Sequence, residues 1–267
     1  MNRHFRYFTD KRVWITGASS GIGYAIADAL GGAGVATLVS ARRRDRLDAL
    51  AARHASISVL ELDLADRDSL AEAAARAWDM SGGIDLLINN AGISQRSAFV
   101  EAQPSALERV INIDLLGTMR LTQTVAARMV TVGSGHICAV TSVAAKIPTP
   151  QRTAYAAAKA GVHALFDAMR GELEPVGITV SLAVPGYVNT EISTHALTGT
   201  GAEHGRLDRN QATGRSAESC AAEILRGLAK RKREFYVSMA PRIWLGLALR
   251  RVAPGLLWKT LAKARIT

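Results

Sequence analysis

Thr16-Gly17-Ala18-Ser19-Ser20-Gly21-Ile22-Gly23 follows the short apolar run Val13-Trp14-Ile15 and precedes a stretch, about 22–33, with helical spacing of apolar residues. Glycines at a strand-to-helix junction permit a tight turn and let a ligand approach the backbone closely. The helix that follows offers unpaired N–H groups and the positive end of its dipole, a site suited to pyrophosphate. The spacing is Gly-x-x-x-Gly-x-Gly rather than Gly-x-Gly-x-x-Gly. Read alone, it fits a plain glycine-rich turn as well as a phosphate cradle.

Further apolar runs occur at Ala36–Ser40, Ile57–Leu60, Leu86–Ile88, His136–Val140, Thr179–Ala183 and Glu234–Val237. Stretches of helical periodicity lie between them, at about 43–54, 66–77, 105–131 and 152–174. Strands that read as continuous apolar runs are buried on both faces, and their alternation with helices predicts a doubly wound parallel α/β sheet of seven strands. A length of 267 residues suits one such domain, expected over 1–238, with a C-terminal extension over 239–267.

The net charge of +10 is unevenly placed. Residues 226–267 carry 11 basic side chains against one acid, Glu234, while the preceding residues balance at 22 of each sign. In the extension the charges are interleaved with Trp244, Leu245, Leu247, Leu249, Leu256, Leu257, Trp258 and Leu261. That mixture reads as a membrane-surface segment, or as cover for the core or a subunit interface, rather than a nucleic-acid patch, and no nucleic-acid partner is expected. The two cysteines, Cys138 and Cys220, have no metal-site spacing and no metal is expected. The start lacks the apolar core of a signal peptide, so a cytoplasmic protein, peripheral on the membrane at most, is expected.

Tyr155 and Lys159 stand four residues apart in Thr153-Ala-Tyr-Ala-Ala-Ala-Lys-Ala160, with only alanine between them. On a helix such a pair shares one face. A tyrosine of ordinary pKa, about 10, is a poor acid or base at neutral pH, and a neighbouring ammonium favours its phenolate. Ser142, at the end of an apolar run, offers a hydroxyl to a reacting oxygen.

With Thr16–Gly23, Asn89-Asn90-Ala91-Gly92, Asn112, Ser142, Tyr155-x-x-x-Lys159 and Pro185-Gly186-Tyr187-Val188-Asn189-Thr190 in this order, the chain resembles the short-chain dehydrogenase/reductase family over roughly residues 11 to 237. The resemblance implies an oxidoreductase that moves a hydride between NADP(H) and a carbonyl or secondary alcohol. It implies that Tyr155 is the acid/base, that Lys159 lowers its pKa and binds the nicotinamide ribose, that Ser142 polarises the substrate oxygen, and that Asn112 holds a water in a proton relay. For the cofactor it implies contacts from Gly17, Ser19, Ser20, Gly21, Ile22 and Gly23. Further contacts fall to Asp63 and Leu64, to Asn90, Ala91 and Gly92, and to Pro185, Gly186, Val188 and Thr190. Asn89 is expected to brace the sheet.

Arg42, directly after the second strand, stands where a carboxylate would select NAD, and an arginine there can hold a 2′-phosphate through charge-assisted bonds. Arg43 and Arg44 read as solvated helix-start residues. Ala144 and Tyr187 are expected to line the substrate pocket, under a lid over 191–210 that carries His195 and His204. The extension hints at a hydrophobic substrate, lipid, steroid-like or retinoid-like, and the resemblance implies a homodimer or homotetramer. A reductase of carrier-linked 3-oxoacyl chains and a non-catalytic NADP-binding sensor remain the alternatives.

Overall fold

The computed structural model describes residues 5–263. Seven parallel strands form one sheet in the order β3-β2-β1-β4-β5-β6-β9. They are β1 (Val13–Thr16), β2 (Thr37–Ser40), β3 (Ile57–Val59), β4 (Leu86–Asn89), β5 (Gly135–Val140), β6 (Ile178–Pro185) and β9 (Glu234–Val237). A separate two-residue pair joins β7 (Val188–Asn189) to β8 (Arg215–Ser216). The helices are α1 (Gly21–Gly32), α2 (Arg44–Arg53), α3 (Leu70–Met80), α4 (Pro104–Ile111), α5 (Thr118–Val132), α6 (Thr153–Leu173), α7 (Arg209–Ala212), α8 (Ala217–Ala229), α9 (Pro241–Val252) and α10 (Pro254–Lys263).

The strands alternate their side chains between two cores, as a pleat of period two requires. Val13, Ile15, Leu86, Ile88 and Cys138 face one side and pack with α1, α2 and α8. Trp14, Leu38, Leu87 and Ile137 face the other, with α3, α5 and α6. The one polar group of the Trp14 ring donates from Nε1 to Ser40 Oγ at 2.9 Å, inside the sheet. Cys138 belongs to the first core, where burial pushes its thiol up to about 12. Arg12 and Asp85 form an ion pair at 2.7 Å beside β4, a structural role for that carboxylate.

Two departures from the sequence-based expectations stand out. The helical stretch about 105–131 is not one α-helix: α4 passes into a π-helical segment, Asn112–Gly117, before α5 begins. A widened turn of this kind changes which side chains face inward, and such segments recur at functional sites. Helix α8 has no counterpart among the expected elements. Ser216 Oγ caps it by accepting from Ser219 N at 3.2 Å, and its buried face (Cys220, Ile224, Leu225 and Leu228) packs on α1.

The extension breaks at Ala253, as Pro254-Gly255 implies, and forms α9 and α10. Ile243 and Leu257 join Ile147 in a small separate cluster beside Val143 and Tyr187. Gly246 packs against the same side chain, where a Cβ would stand 2.9 Å from Ile147 Cδ1. No described helix is long and apolar enough to cross a membrane.

The order of β1 and β4 reverses the winding of the sheet, so the chain leaves their carboxyl ends in opposite directions. A crevice opens there, which is where ligands bind in open α/β sheets.

Two buried histidines make stability depend on pH. His136 on β5 lies between the Tyr7 hydroxyl, 2.9 Å from Nδ1, and Ser181 Oγ, 2.8 Å from Nε2. Burial, then the charges of Arg231 and Lys11, lower its pKa to about 3. Burial, with Lys146 as the next cause, lowers that of His163 to about 4. The unfolded chain takes up these protons below about pH 6.5 while the fold does not, so stability falls as pH drops from there towards 4. We expect a loss on the order of a few kcal/mol across that window in urea melts, and a shallower loss in His136→Gln. An unchanged slope in the variant contradicts this assignment.

Candidate active site

The loops after β1 and β4 touch. Asn90 Nδ2 donates to the carbonyls of Thr16 at 3.2 Å and Gly17 at 3.1 Å, while the Asn90 and Ala91 amides donate to Thr16 Oγ1. A Cβ on Gly17, at φ +69°, would stand 2.6 Å from Ala91 Cα, and one on Gly23 would stand 2.4 Å from Gly17 O. Only glycine fits at either place. Ser20 precedes α1 without a side-chain cap, which leaves the first amides of that helix to a ligand.

A cleft of about 390 Å³ runs along these loops. Gly17, Ser19, Ser20, Gly21 and Ile22 line its floor, and Asn90, Ala91, Gly92 and Thr190 its inner end. Arg42, Asp63 and Leu64 line it beyond β2 and β3. Gly23 lies just beneath, packed on Asn90. The residues expected to hold a dinucleotide phosphate therefore meet in one place, and the side-chain-free cradle beside uncapped helix amides fits a pyrophosphate.

Arg43 departs from its expected role as a solvated residue. It lines the cleft beside Arg42, donates from Nε and Nη2 to Ser19 Oγ at 3.2 Å, and reaches Glu191 at 3.7 Å. Two guanidiniums therefore stand at the end of β2. Asn89 does brace the sheet, donating to Thr122 Oγ1 at 3.0 Å.

The cleft adjoins a second cavity through shared walls at Ile22, Asn90, Gly92 and Thr190. Ser142, Ala144, Tyr155 and Lys159 line this second cavity, as do Pro185, Gly186, Tyr187 and Val188. Tyr155 and Lys159 rise from the first turns of α6 and are both buried. The ammonium lies 5.7 Å from the centre of the phenol ring. Ser142 Oγ accepts from Ala144 N at 3.1 Å, which occupies a lone pair and leaves its proton for another acceptor. A phenol, a hydroxyl donor and a buried cation at one cavity wall can exchange a proton with an oxygen bound there.

Asn112 lines neither cavity. The side chain beside Lys159 is Asp114, two residues on in the π-helical segment. Its Oδ2 stands 3.2 Å from Lys159 Nζ, and its Oδ1 accepts from Ile93 N at 2.7 Å. Gly92 completes the fit, since a Cβ there would stand 2.9 Å from the carboxylate and 3.0 Å from the ammonium. Burial raises the Asp114 carboxyl against the opposing pull of Lys159. The Lys159 ammonium is held above its ordinary value: burial, the largest single influence, opposes this, and the charges of Asp114 and Tyr155 together with the Asp114 hydrogen bond outweigh it. The available signal was a carboxylate inside Ile113-Asp-Leu-Leu116, which cannot be buried without a cation.

Of the lid histidines, His195 lines the outer cleft and pairs with Glu203 at 3.1 Å. Neither it nor His204 lines the second cavity. Ile147, Arg152 and Gln211, not singled out in the sequence, also line that cavity, as does Ile192 of the lid.

The family described as short chain dehydrogenase matches residues 11–200. Dehydrogenase/reductase SDR family member 7B of Bos taurus is 35% identical over 266 residues, covering 96% of this chain and 82% of that protein. A family protein 7-like of Drosophila melanogaster is 34% identical, covering 96% and 81%. Among solved structures, a short-chain dehydrogenase from Sphingobium yanoikuyae in complex with NADPH is 31% identical, with a TM-score of 0.75 and 96% of each chain covered. A bulky-bulky ketone specific alcohol dehydrogenase from Comamonas testosteroni is 28% identical, with a TM-score of 0.73, covering 96% of this chain and 95% of that one.

Removing one partner of a buried ion pair strands the other. Asp114→Ala is expected to cost on the order of 3 kcal/mol in a urea melt, and Asp114→Asn less, since the amide oxygen keeps the Ile93 bond. Equal stability of all three proteins contradicts the pairing.

Proposed function

This chain belongs to the short-chain dehydrogenase family, and we propose that within it the protein is an NADP(H)-dependent oxidoreductase that interconverts a carbonyl and a secondary alcohol on a largely hydrophobic substrate. One observation carries the reading: Ser142, Tyr155 and Lys159 line a cavity that shares its walls with the glycine-floored cleft. Bound in that cleft, the nicotinamide supplies the hydride. The remaining chemistry falls to the chain. Ser142 donates a hydrogen bond to the carbonyl oxygen and holds it against the phenol. Tyr155 gives that oxygen its proton, or takes it in the reverse direction. Lys159 stabilises the phenolate left behind, and Asp114 keeps the ammonium in place.

Arg42 and Arg43 support the phosphorylated cofactor, because both border the cleft just past β2, where a 2′-phosphate would meet them. Apolar walls from Val143, Ala144, Ile147 and Ile192 support a hydrophobic substrate.

The extension supports a peripheral membrane site. Its inner face is used by Ile243 and Leu257, while Leu245 and Leu256 remain 61% and 56% exposed. Val252 and Trp258 are exposed beside Arg250, Arg251 and Lys259. Apolar side chains ringed by cations match an anionic bilayer surface, where apolar burial and electrostatic attraction add.

The reductase reading predicts that NADPH is consumed with at least one carbonyl in a panel of steroid ketones, retinal, medium-chain aldehydes, acyl thioesters and quinones. Tyr155→Phe should lower that rate by about 100-fold or more while still binding NADPH. Turnover that survives the substitution contradicts the assignment. In nucleotide titrations NADPH should bind roughly tenfold or more tighter than NADH, and Arg42→Ala should narrow the gap; equal affinities in the wild type contradict the selectivity. With phosphatidylserine vesicles at low salt the protein should sediment, and a Leu245→Glu, Leu256→Glu double variant should remain in solution. Equal sedimentation of both refutes the membrane site.

A further inference from the structure

Arg96 and Arg152 meet Asp208, which belongs to the lid segment, and all three are buried. Asp208 accepts from Arg96 through Nε at 3.0 Å and through Nη2, and from Arg152 Nη2 at 2.7 Å. Asp208 itself is held by Ser193, whose Oγ accepts from the Asp208 amide at 3.0 Å. The cluster pins the segment before α7 to the loop after β4 and to the start of α6. One arginine would suffice for a pin. The second leaves an excess positive charge, since neither guanidinium pairs with another carboxylate among the described residues.

Two donors of the cluster, Arg96 Nη1 and Arg152 Nε, are buried without a partner. Burial, and then the charge of Arg152, lower Arg96 to about 9, which leaves it a cation at neutral pH. Arg152 lines the substrate cavity, with its guanidinium carbon 6.0 Å from the centre of the Tyr155 ring. A buried cation in a cavity wall, undercompensated and short of acceptors, is a site for an anion.

We propose that the substrate carries an anionic group, a carboxylate or a phosphate, which docks on Arg152 of this cluster while its carbonyl faces Tyr155. The short separation from Arg152 to Tyr155 sets the spacing: the anion lies within a few bonds of the carbonyl. The rest of the molecule extends along Ile147 and Ile192. The substrate is thus an acidic amphiphile, an oxo acid or an oxo phosphate ester. This rests on the reductase reading of the same cavity.

The test has two arms. In thermal melts with and without NADPH, hexanoate or hexyl phosphate should raise the midpoint of the wild-type protein, and hexanamide should not. The comparison of the two anions separates carboxylate from phosphate. In Arg152→Gln the shift should vanish, and in Arg152→Lys it should partly return. In turnover, levulinate should exceed its methyl ester in kcat/KM by about tenfold, and the ratio should fall towards one in Arg152→Gln. A hexanamide shift equal to that of both anions, or an ester used as well as the acid by the wild type, overturns the proposal. Failure of the reductase reading has another signature, no turnover of any carbonyl in the panel by the wild-type protein whether or not NADPH shifts its melt, and the anion melts decide this proposal independently of it.

Discussion

The contact between the loops after β1 and β4 is the constraint on which the site depends. Thr16 and Gly17 on one side, and Asn90 and Ala91 on the other, share four hydrogen bonds and leave no room for a side chain at Gly17 or Gly23. That approach opens the crevice at the sheet's switch point, bares the first amides of α1, and sets Gly92 against Lys159 and Asp114. The cleft and the second cavity share Asn90 and Gly92 because these residues end the same strand-to-loop crossing. A shift of this crossing would move the glycine-floored cleft away from the phenol.

Charge is distributed across the site with equal economy. The buried Lys159 has a buried counter-charge, so the ion pair is locally neutral and its ammonium is fixed in position. Arg96 and Arg152 share one carboxylate and remain net positive. Tyr155 stands between a compensated cation and an undercompensated one. A compensated pair serves to position groups within the protein. An undercompensated cation facing a cavity can attract a charge from outside it, which is why Arg152 rather than Lys159 bears on substrate choice.

Much of this was legible in the sequence, and the reasons are physical. Strands buried on both faces must be largely apolar, so Leu86–Ile88 and His136–Val140 were visible as runs, within a residue of the strands Leu86–Asn89 and Gly135–Val140. The glycine positions reflect steric exclusion by a neighbouring backbone, which leaves little choice of residue. Ser142, Tyr155 and Lys159 lie close in sequence, and two of them share a helix face. The illegible parts depend on distant partners or on irregular backbone. Asp114 faces Lys159 from a π-helical segment, Asn112–Gly117, that regular helical periodicity does not announce, and the family resemblance pointed to Asn112 two residues earlier. Asp208 is 112 residues from Arg96 and 56 from Arg152, and nothing local announces their meeting. Arg43 reads as an ordinary surface arginine until Ser19, from another loop, is placed beside it.

The proposed reaction passes a hydride from a nicotinamide in the glycine-floored cleft to a carbonyl held at Tyr155. The most direct measurement is mass spectrometry of the alcohol formed from a reducible ketone with NADPH that carries deuterium at the transferable position, in wild type and in Tyr155→Phe. One deuterium is expected on the carbinol carbon of the wild-type product, and almost no product from the variant although it binds the nucleotide. An unlabelled alcohol, or labelled alcohol formed equally fast by the variant, would contradict it.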